Sequence, residues 1–330
     1  MAYTTIDNPE LYFQVKLWSG DSSVTSYTLD GSEDMQPDMV WIKSRSNAVS
    51  HEIHDAVRGA NYQIFPDTTA AETNWTNALT AFNSDGFTVG ASGETNQTGR
   101  TYVAWCWKES ADSGMGITAY TGNGSSDRTV SHGLSAVPQM VIVKNRAATE
   151  NWQVYWNDGT ERNGFLNINN AFVTPATTSI WGTNVPTSSV FYVGDDSSTN
   201  SNTVAYISYA FAPKQGFSKF GSYTGGSDPF VYLGFRPAFI MFKNASATEN
   251  WRIIDNKRDT YNTAVAHLYP NLSNAGGSGA SYSDYCDFLS NGFKIISGAG
   301  EVDGSGNTII YMAFAEAPFV NSNGVPCNAR

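Results

Sequence analysis

The stretch PQMVIVKNR (138–146) decides the fold, because close copies of it stand about a hundred residues away on either side, PDMVWIKSR (37–45) and PAFIMFKNA (237–245). In each copy a Pro precedes a Lys by six residues, with an apolar run between them. A fixed period of this size indicates tandem repetition of one structural unit. The run is too short for an ordinary helix, and its β-branched and aromatic residues behind a Pro predict a buried strand.

Extending the repeat outward divides the chain into three similar units joined by short links. The predicted boundaries are a lead-in at 1–10, repeats at 11–110, 114–213 and 215–320, and a tail at 321–330. Abundant Gly, 13% aromatic residues and only 15% charged residues are typical of an all-β protein with many turns. We therefore predict three tandem antiparallel β-sandwich repeats of jelly-roll type, with the units in contact.

Several polar positions recur at fixed distances from the repeated Lys. The lysines are Lys43, Lys144 and Lys243; twelve residues later stand Asp55, Trp156 and Asp255, and three further on Arg58, Gly159 and Arg258. Units one and three thus share an Asp-x-x-Arg that unit two lacks. A Lys43–Asp55 or an Asp55–Arg58 ion pair that ties strands or a turn together explains the pattern most simply. In the closing strands, Tyr206 and Tyr311 each precede a Pro by seven residues and are expected to correspond.

The charge balance and the termini exclude some classes of partner. A net charge of −11 and a pI near 4.7 argue against a phosphate backbone or an anionic membrane as the main partner, so we expect no nucleic acid. No apolar run approaches the roughly 18 residues that cross a bilayer, and the N-terminus lacks the features of a signal peptide. We expect synthesis in a cytoplasm and no membrane insertion.

No pattern in the chain indicates a catalytic residue, a cofactor or a metal. The histidines of HEIHD (51–55) are three apart in an extended segment, which directs them to opposite faces. The acidic loops DDSSTNSN (195–202) and VDGSGN (302–307) predict hairpin turns, with calcium sites as the alternative, although the closing Glu is missing. The run GGSGAS (276–281) predicts a flexible loop, and Cys106 a small core residue.

The tryptophans are the residues most open to a functional interpretation. Trp152 and Trp251 both end an ATENW motif, at 148–152 and 248–252, and are predicted to be core residues. Trp75, Trp156 and Trp181 lie in less regular stretches and are candidates for glycan or receptor contact, because an indole can pack against the face of a sugar ring.

Taken together, the motifs resemble repeat-containing, tail-fibre-like virion structural proteins of tailed, often marine, bacteriophages. The residues that carry the resemblance span nearly the whole chain: the lead-in AYTTIDNPELYFQV, YTGNG (120–124), YTGGS (223–227), HGL before the second repeated stretch, ENW with a following D..R (249–258), SDGF and SNGF (84–87, 290–293), and YAFAP (209–213). A heptad segment and a long shaft are missing.

The resemblance implies a non-enzymatic virion protein, exposed on the particle and most readily tail-associated. Its expected partners are other virion proteins, further copies of itself and a host-surface glycan. A head decoration protein and a carbohydrate-binding or depolymerising module are the alternatives. Cleavage of a glycan would need two carboxylates about 5 to 10 Å apart.

Overall fold

A computed structural model of the chain describes residues 3–226, 228–277, 285–297 and 300–328. Within these ranges the chain is mostly β, with antiparallel sheets that group into three segments. Each segment pairs a larger sheet with a smaller one. The predicted all-β fold with three β-sandwich units is therefore confirmed.

Unit one is built on a four-stranded sheet with a three-stranded sheet and a short hairpin beside it. In spatial order the larger sheet contains β1 (Phe13–Ser19), β9 (Thr101–Trp107), β3 (Met39–Ser44) and β4 (Glu52–Asp55). The smaller sheet contains β2 (Thr25–Tyr27), β8 (Gly86–Val89) and β7 (Leu79–Asn83), and the hairpin contains β5 (Tyr62–Gln63) and β6 (Thr73–Asn74). A 3₁₀ helix, Pro9–Leu11, precedes β1.

Unit two repeats this order, and its larger sheet has one further strand. The larger sheet contains β10 (Met115–Thr121), β16 (Ala205–Phe211), β12 (Met140–Asn145), β13 (Gln153–Asn157) and β14 (Glu161–Phe165). The smaller sheet contains β11 (Arg128–Ser131) and β15 (Val190–Val193). Two one-turn helices are α1 (Thr178–Trp181) and α2 (Ser197–Asn200).

Unit three has the same arrangement again, so that the closing strand of every unit lies between its opening strand and the strand of the repeated stretch. The larger sheet contains β17 (Ser218–Thr224), β24 (Thr308–Pro318), β19 (Phe235–Asn244), β20 (Arg252–Asp255) and β21 (His267–Leu268). The smaller sheet contains β18 (Phe230–Tyr232), β23 (Gly292–Ser297) and β22 (Tyr285–Leu289), and α3 is Gly300–Asp303.

The strand of the repeated stretch is buried on both faces, which explains its continuous apolar sequence. In β3, Val40 and Ile42 face the smaller sheet of unit one and belong to that unit's own core. Met39 and Trp41 point the other way, into a core that also contains residues of units two and three. Strands β12 and β19 divide their residues in the same way.

The three larger sheets pack against one another around this central core. Phe13 of unit one contacts Phe239 of unit three, with ring centroids 5.6 Å apart, and Phe211 of unit two contacts Phe314 of unit three at 6.2 Å. A cavity of about 10 Å³ remains in the centre, lined by apolar and aromatic side chains. An apolar space of this size stays dry, so the centre is a packed core and not a ligand site.

Two predictions about local structure are wrong. The acidic loops form helical turns, not hairpin turns: α2 follows Asp196, whose side chain caps it by accepting from Ser198 N at 2.8 Å, and α3 occupies the corresponding place in unit three. The counterpart of Tyr206 is Ile309, two residues before Tyr311, because each pairs with the aromatic residue of the opening strand, Tyr120 or Tyr223. Irregular pairing of β19 with β24 accounts for the two-residue difference.

The chain ends are attached to unit three. Tyr3 OH donates to Gly234 O at 2.9 Å, and Thr4 Oγ1 donates to Gln215 O at 2.8 Å, so the lead-in crosses from unit one to unit three. The side chain of Asp7 then accepts from Ser322, whose N lies at 2.7 Å. None of the helices in the described part of the chain has the length and apolar character that crossing a membrane requires.

Because the three units share one core, we predict that they unfold together. Differential scanning calorimetry of the whole chain should show a single cooperative transition. The variant Ile142→Ala, in the central core of unit two, should lower the temperature of that entire transition, since truncating a buried Ile costs about 2–5 kcal/mol. Val185→Ala, at a side chain that is 54% exposed, is the control. Separate transitions, or a shift confined to one of them, would contradict a shared core.

Candidate functional site

The segment that follows the fourth strand of each larger sheet crosses to the next unit. We call these segments arm 1 (residues 60–76), arm 2 (161–173) and arm 3 (264–277), and the places where they dock seam 1/2, seam 2/3 and seam 3/1. One backbone hydrogen bond recurs at every seam, from an arm N–H to the carbonyl two residues after the repeated Lys. The three bonds are Glu72 N to Arg146 O at 2.9 Å, Phe172 N to Ala245 O at 2.9 Å, and Gly276 N to Arg45 O at 2.8 Å. The arms therefore close a ring.

The repeated lysines are buried hydrogen-bond donors at the seams. Each Nζ donates to two equivalent carbonyl oxygens of its own unit, at 2.7–2.8 Å and 3.1–3.2 Å, and Lys243 Nζ donates to a third, Glu249 O, at 2.7 Å. Lys144 Nζ also donates to Thr69 O of arm 1 at 3.2 Å, and Lys243 Nζ to Asn169 O of arm 2 at 3.1 Å. Burial lowers the pKa of Lys43, Lys144 and Lys243 to about 8. Within the described residues, Lys43 has no ion pair with Asp55, so that alternative was wrong.

The Asp-x-x-Arg motifs form the ion pair predicted as the other alternative. Arg58 Nε lies 2.5 Å from Asp55 Oδ2, and Arg258 Nε lies 2.6 Å from Asp255 Oδ2. The same carboxylate oxygens also accept across unit boundaries. Asp55 Oδ2 accepts from the Tyr209 hydroxyl of unit two at 2.7 Å, and Asp255 Oδ2 from Trp105 Nε1 of unit one at 3.0 Å. Burial raises the pKa of Tyr209, so its hydroxyl keeps the proton that it donates.

The strand register explains why unit two lacks the Asp-x-x-Arg motif. Trp105 and Tyr209 pair with Trp41 and Ile142, the residues two before the repeated lysines. The third residue in this register is Met312, which pairs with Met241 and cannot donate a hydrogen bond. Trp156 stands where units one and three have Asp, and is fully buried in the central core. An Asp at position 156 would have no donor in this register, because Met312 is apolar. The buried ring of Trp156 stands there in place of the polar contact.

The three seams differ in the side chains that surround the common hydrogen bond. At seam 1/2 the Glu72 carboxylate is held by two arginines: Arg58 NH1 at 3.0 Å, and Arg146 through Nε at 3.0 Å and NH2 at 2.8 Å. At seam 2/3 the equivalent positions are Phe172, Gly159 and Ala245, and the Phe172 ring contacts Trp251 at 5.9 Å. One seam is thus closed by charge pairing and the next by apolar packing.

At seam 3/1 the arginines are present but the acidic residue is replaced by Gly276. A cavity of about 230 Å³ lies here, lined by Arg45 and Arg258 together with Ser46, Thr101, Ala266, Gly276 and Gly277. Arg258 is buried at its side chain, whereas Arg45 is half-buried. Of the predicted loop GGSGAS (276–281), residues 278–281 lie outside the described residues.

The predicted tryptophan contacts are partly wrong. Trp156 and Trp181 are only 0% and 3% exposed, because the central core covers the first and the core of unit two covers the second. They therefore cannot contact a glycan. Trp75 is 51% exposed and remains a candidate. Trp152 and Trp251 are core residues as predicted, and their indole N–H groups bind the neighbouring arm, at Phe65 O (3.0 Å) and Phe165 O (2.8 Å).

The histidine and acidic segments do not come together as a metal site. His51 lies against the central core and accepts from Trp41 Nε1 at 3.0 Å, whereas His54 faces the other way and contacts Glu52 at 3.0 Å. In the described ranges no group of three or more His, Cys, Asp and Glu side chains could hold a metal ion. Cys106 is buried, as predicted.

The fold and the seams define an all-β protein of three sandwich units that share a core and are joined in a ring. The chain belongs to the family described as a domain of unknown function (DUF7483), which matches residues 8–318. The match covers all three units together, in agreement with the shared core. No curated protein matches the chain.

We predict that the buried lysines are essential for stability. In Lys144→Met, three carbonyl oxygens from two units lose a charged donor, and the free energy of unfolding should fall by about 3 kcal/mol. Lys257→Met, at an exposed position, should change it by less than about 0.5 kcal/mol. Denaturant unfolding monitored by tryptophan fluorescence measures both. Equal midpoints for the two variants would show that the lysine contacts contribute nothing to the seam.

Proposed function

We propose that the chain is a non-enzymatic structural component of a tailed-bacteriophage particle, carried on the tail as a fibre or appendage and exposed to the host surface. The observation that carries the proposal is the set of motifs, distributed over the three units, that resembles those of tail-fibre-like virion proteins. Other virion proteins and further copies of this chain are the proposed partners. A localisation in the virion follows from the same proposal.

The architecture supports such a role through its stability. The buried Lys144 ammonium and the Glu72 carboxylate are both paired within the ring, each with a group of the neighbouring unit. Breaking one seam exposes part of a core that all three units share. A body held in this way resists partial unfolding, a property that suits a component exposed outside the cell. The net charge of −11 favours solubility and does not favour nucleic acid as a partner.

The proposal predicts where the protein lies on the particle. Gold-labelled antibodies raised against the chain should mark the tail or its fibres when intact particles of the encoding phage are viewed by electron microscopy. Label spread over the capsid would identify a head decoration protein in place of a tail component. If particles that contain the protein by mass spectrometry carry no label, the proposed surface exposure is wrong.

A carbohydrate-binding role is the second candidate, and the exposed Trp75 is the observation that favours it. Trp75 directly follows β6 in arm 1. Its backbone N–H donates to Asn61 O at 2.7 Å, which orients the residue and its exposed indole. A solvent-exposed ring on an anchored backbone provides a flat apolar surface for a sugar.

On a glycan array, Trp75→Ala should weaken binding about tenfold, because removing a central aromatic contact typically costs 1–2 kcal/mol or more. Tyr261→Ala, at a side chain that is 82% exposed in unit three, is the matched control. Equal loss in both variants would argue against a site at Trp75. Release of reducing sugar from host polysaccharide would instead indicate a depolymerase.

A further inference from the structure

We infer that seam 3/1 contains a binding site for the carboxylate group of a small organic acid, in the cavity lined by Arg45 and Arg258. The inference does not depend on the proposed role in a virion. It rests on the internal repeat, because the equivalent site at seam 1/2 contains its own carboxylate, Glu72, and shows which contacts such a group makes.

Arg258 is positioned like its counterpart Arg58. Its Nε donates to Asp255 at 2.6 Å and its NH2 to Ile253 O at 3.0 Å, as Arg58 does to Asp55 at 2.5 Å and to the backbone of residue 53 at 2.9 Å. The remaining nitrogen, NH1, binds Glu72 in Arg58. In Arg258 the same nitrogen has no hydrogen-bond partner among residues 3–226, 228–277, 285–297 and 300–328.

Arg45 is the second half of the pair and corresponds to Arg146. Its guanidinium is half-buried and makes neither a hydrogen bond nor an ion pair with any described residue. Burial and the neighbouring Arg258 lower its pKa, although Asp255 and Asp259 act in the opposite direction. The nearby carboxylates are already occupied: Asp255 binds Arg258 and Trp105, and Asp259 accepts from two backbone N–H groups at 2.5 and 2.6 Å.

The other seams show that the fold does not need this pair of charges. At seam 2/3, where the acidic residue is also missing, the arginines are replaced by Gly159 and Ala245, and Phe172 fills the space. Seam 3/1 keeps both arginines without an internal carboxylate. Two partly desolvated guanidinium groups on one cavity repel each other and lose hydration, and an external anion would relieve both costs.

The cavity and its lining limit what the ligand can be. At about 230 Å³ it is smaller than the 300–1,000 Å³ typical of drug-sized sites, so it suits one small molecule or one terminal group. The planar fork of an arginine matches a carboxylate, the group that the paired arginines bind at seam 1/2. A sugar acid such as a uronate, or a short open-chain acid, fits this description.

Isothermal titration calorimetry on the full chain tests the inference. Four compounds are titrated into the protein. D-glucuronate and succinate compare a sugar acid with an open-chain acid. D-glucose is the uncharged control for glucuronate, and inorganic phosphate tests whether another oxyanion binds. We expect one molecule of glucuronate or succinate bound per chain and no heat from glucose. Arg45→Met should weaken binding by about tenfold or more, the effect of losing a charged hydrogen bond.

The variant Gly276→Glu supplies the missing carboxylate from the chain itself. The φ of Gly276 lies outside the left-handed region, and an added Cβ would lie 3.2 Å from the backbone oxygen of Arg45, so the substitution requires this contact to widen by a few tenths of an ångström. This variant should abolish ligand binding and raise the melting temperature of the ligand-free protein. Ser126→Glu, which adds the same charge at an exposed site in unit two, should do neither.

Three results would overturn the inference. The first is the absence of heat from both acids with folded wild-type protein. The second is binding that persists unchanged in Arg45→Met and in Gly276→Glu, since the acid would then bind elsewhere. The third is a clear preference for phosphate over both acids, because the site would then not select a carboxylate.

Discussion

The burial of each larger sheet on both faces is the constraint on which the rest of this structure depends. One face of β3, β12 and β19 packs inside its own unit, and the other packs in the central core. Polar groups at the ends of such strands cannot rely on water and need partners within the protein. The repeated lysines meet this need with carbonyl oxygens, some of which belong to the neighbouring unit's arm. Two-sided burial and ring closure are therefore linked.

The seams show how one backbone contact can be kept while the surrounding chemistry changes. The hydrogen bond between arm and repeated stretch has nearly the same length at each seam. Around it stand a carboxylate between two arginines, a phenylalanine beside two small residues, and two arginines facing a cavity. The backbone contact needs no particular side chain, so each seam is free to diverge. Function is accordingly easier to place at a seam than in the strands, whose side chains are committed to packing.

Much of the fold could be predicted from the sequence, because the period and the apolar runs report local structure directly. The predicted ion pair Asp55–Arg58 was found because its partners are three residues apart. The predictions for Trp156 and Trp181 failed for the opposite reason. Their place in less regular stretches suggests surface positions, but the burial of Trp156 depends on its place in the core that all three units share. Tyr311 does not correspond to Tyr206 because the pairing of β19 with β24 is irregular, whereas counting residues assumes a constant register.

The amino-acid sequence alone establishes three repeated all-β units, the strand at the centre of each, and the positions of the recurring Lys, Asp and Arg. Tertiary structure decides that the units form a closed ring, that Asp55 and Asp255 accept from a different unit, and that Arg45 and Arg258 line one cavity. The physical reason is distance along the chain. Arg45 and Arg258 come from different units and are brought to one cavity only when arm 3 returns to unit one, and no local pattern encodes that approach.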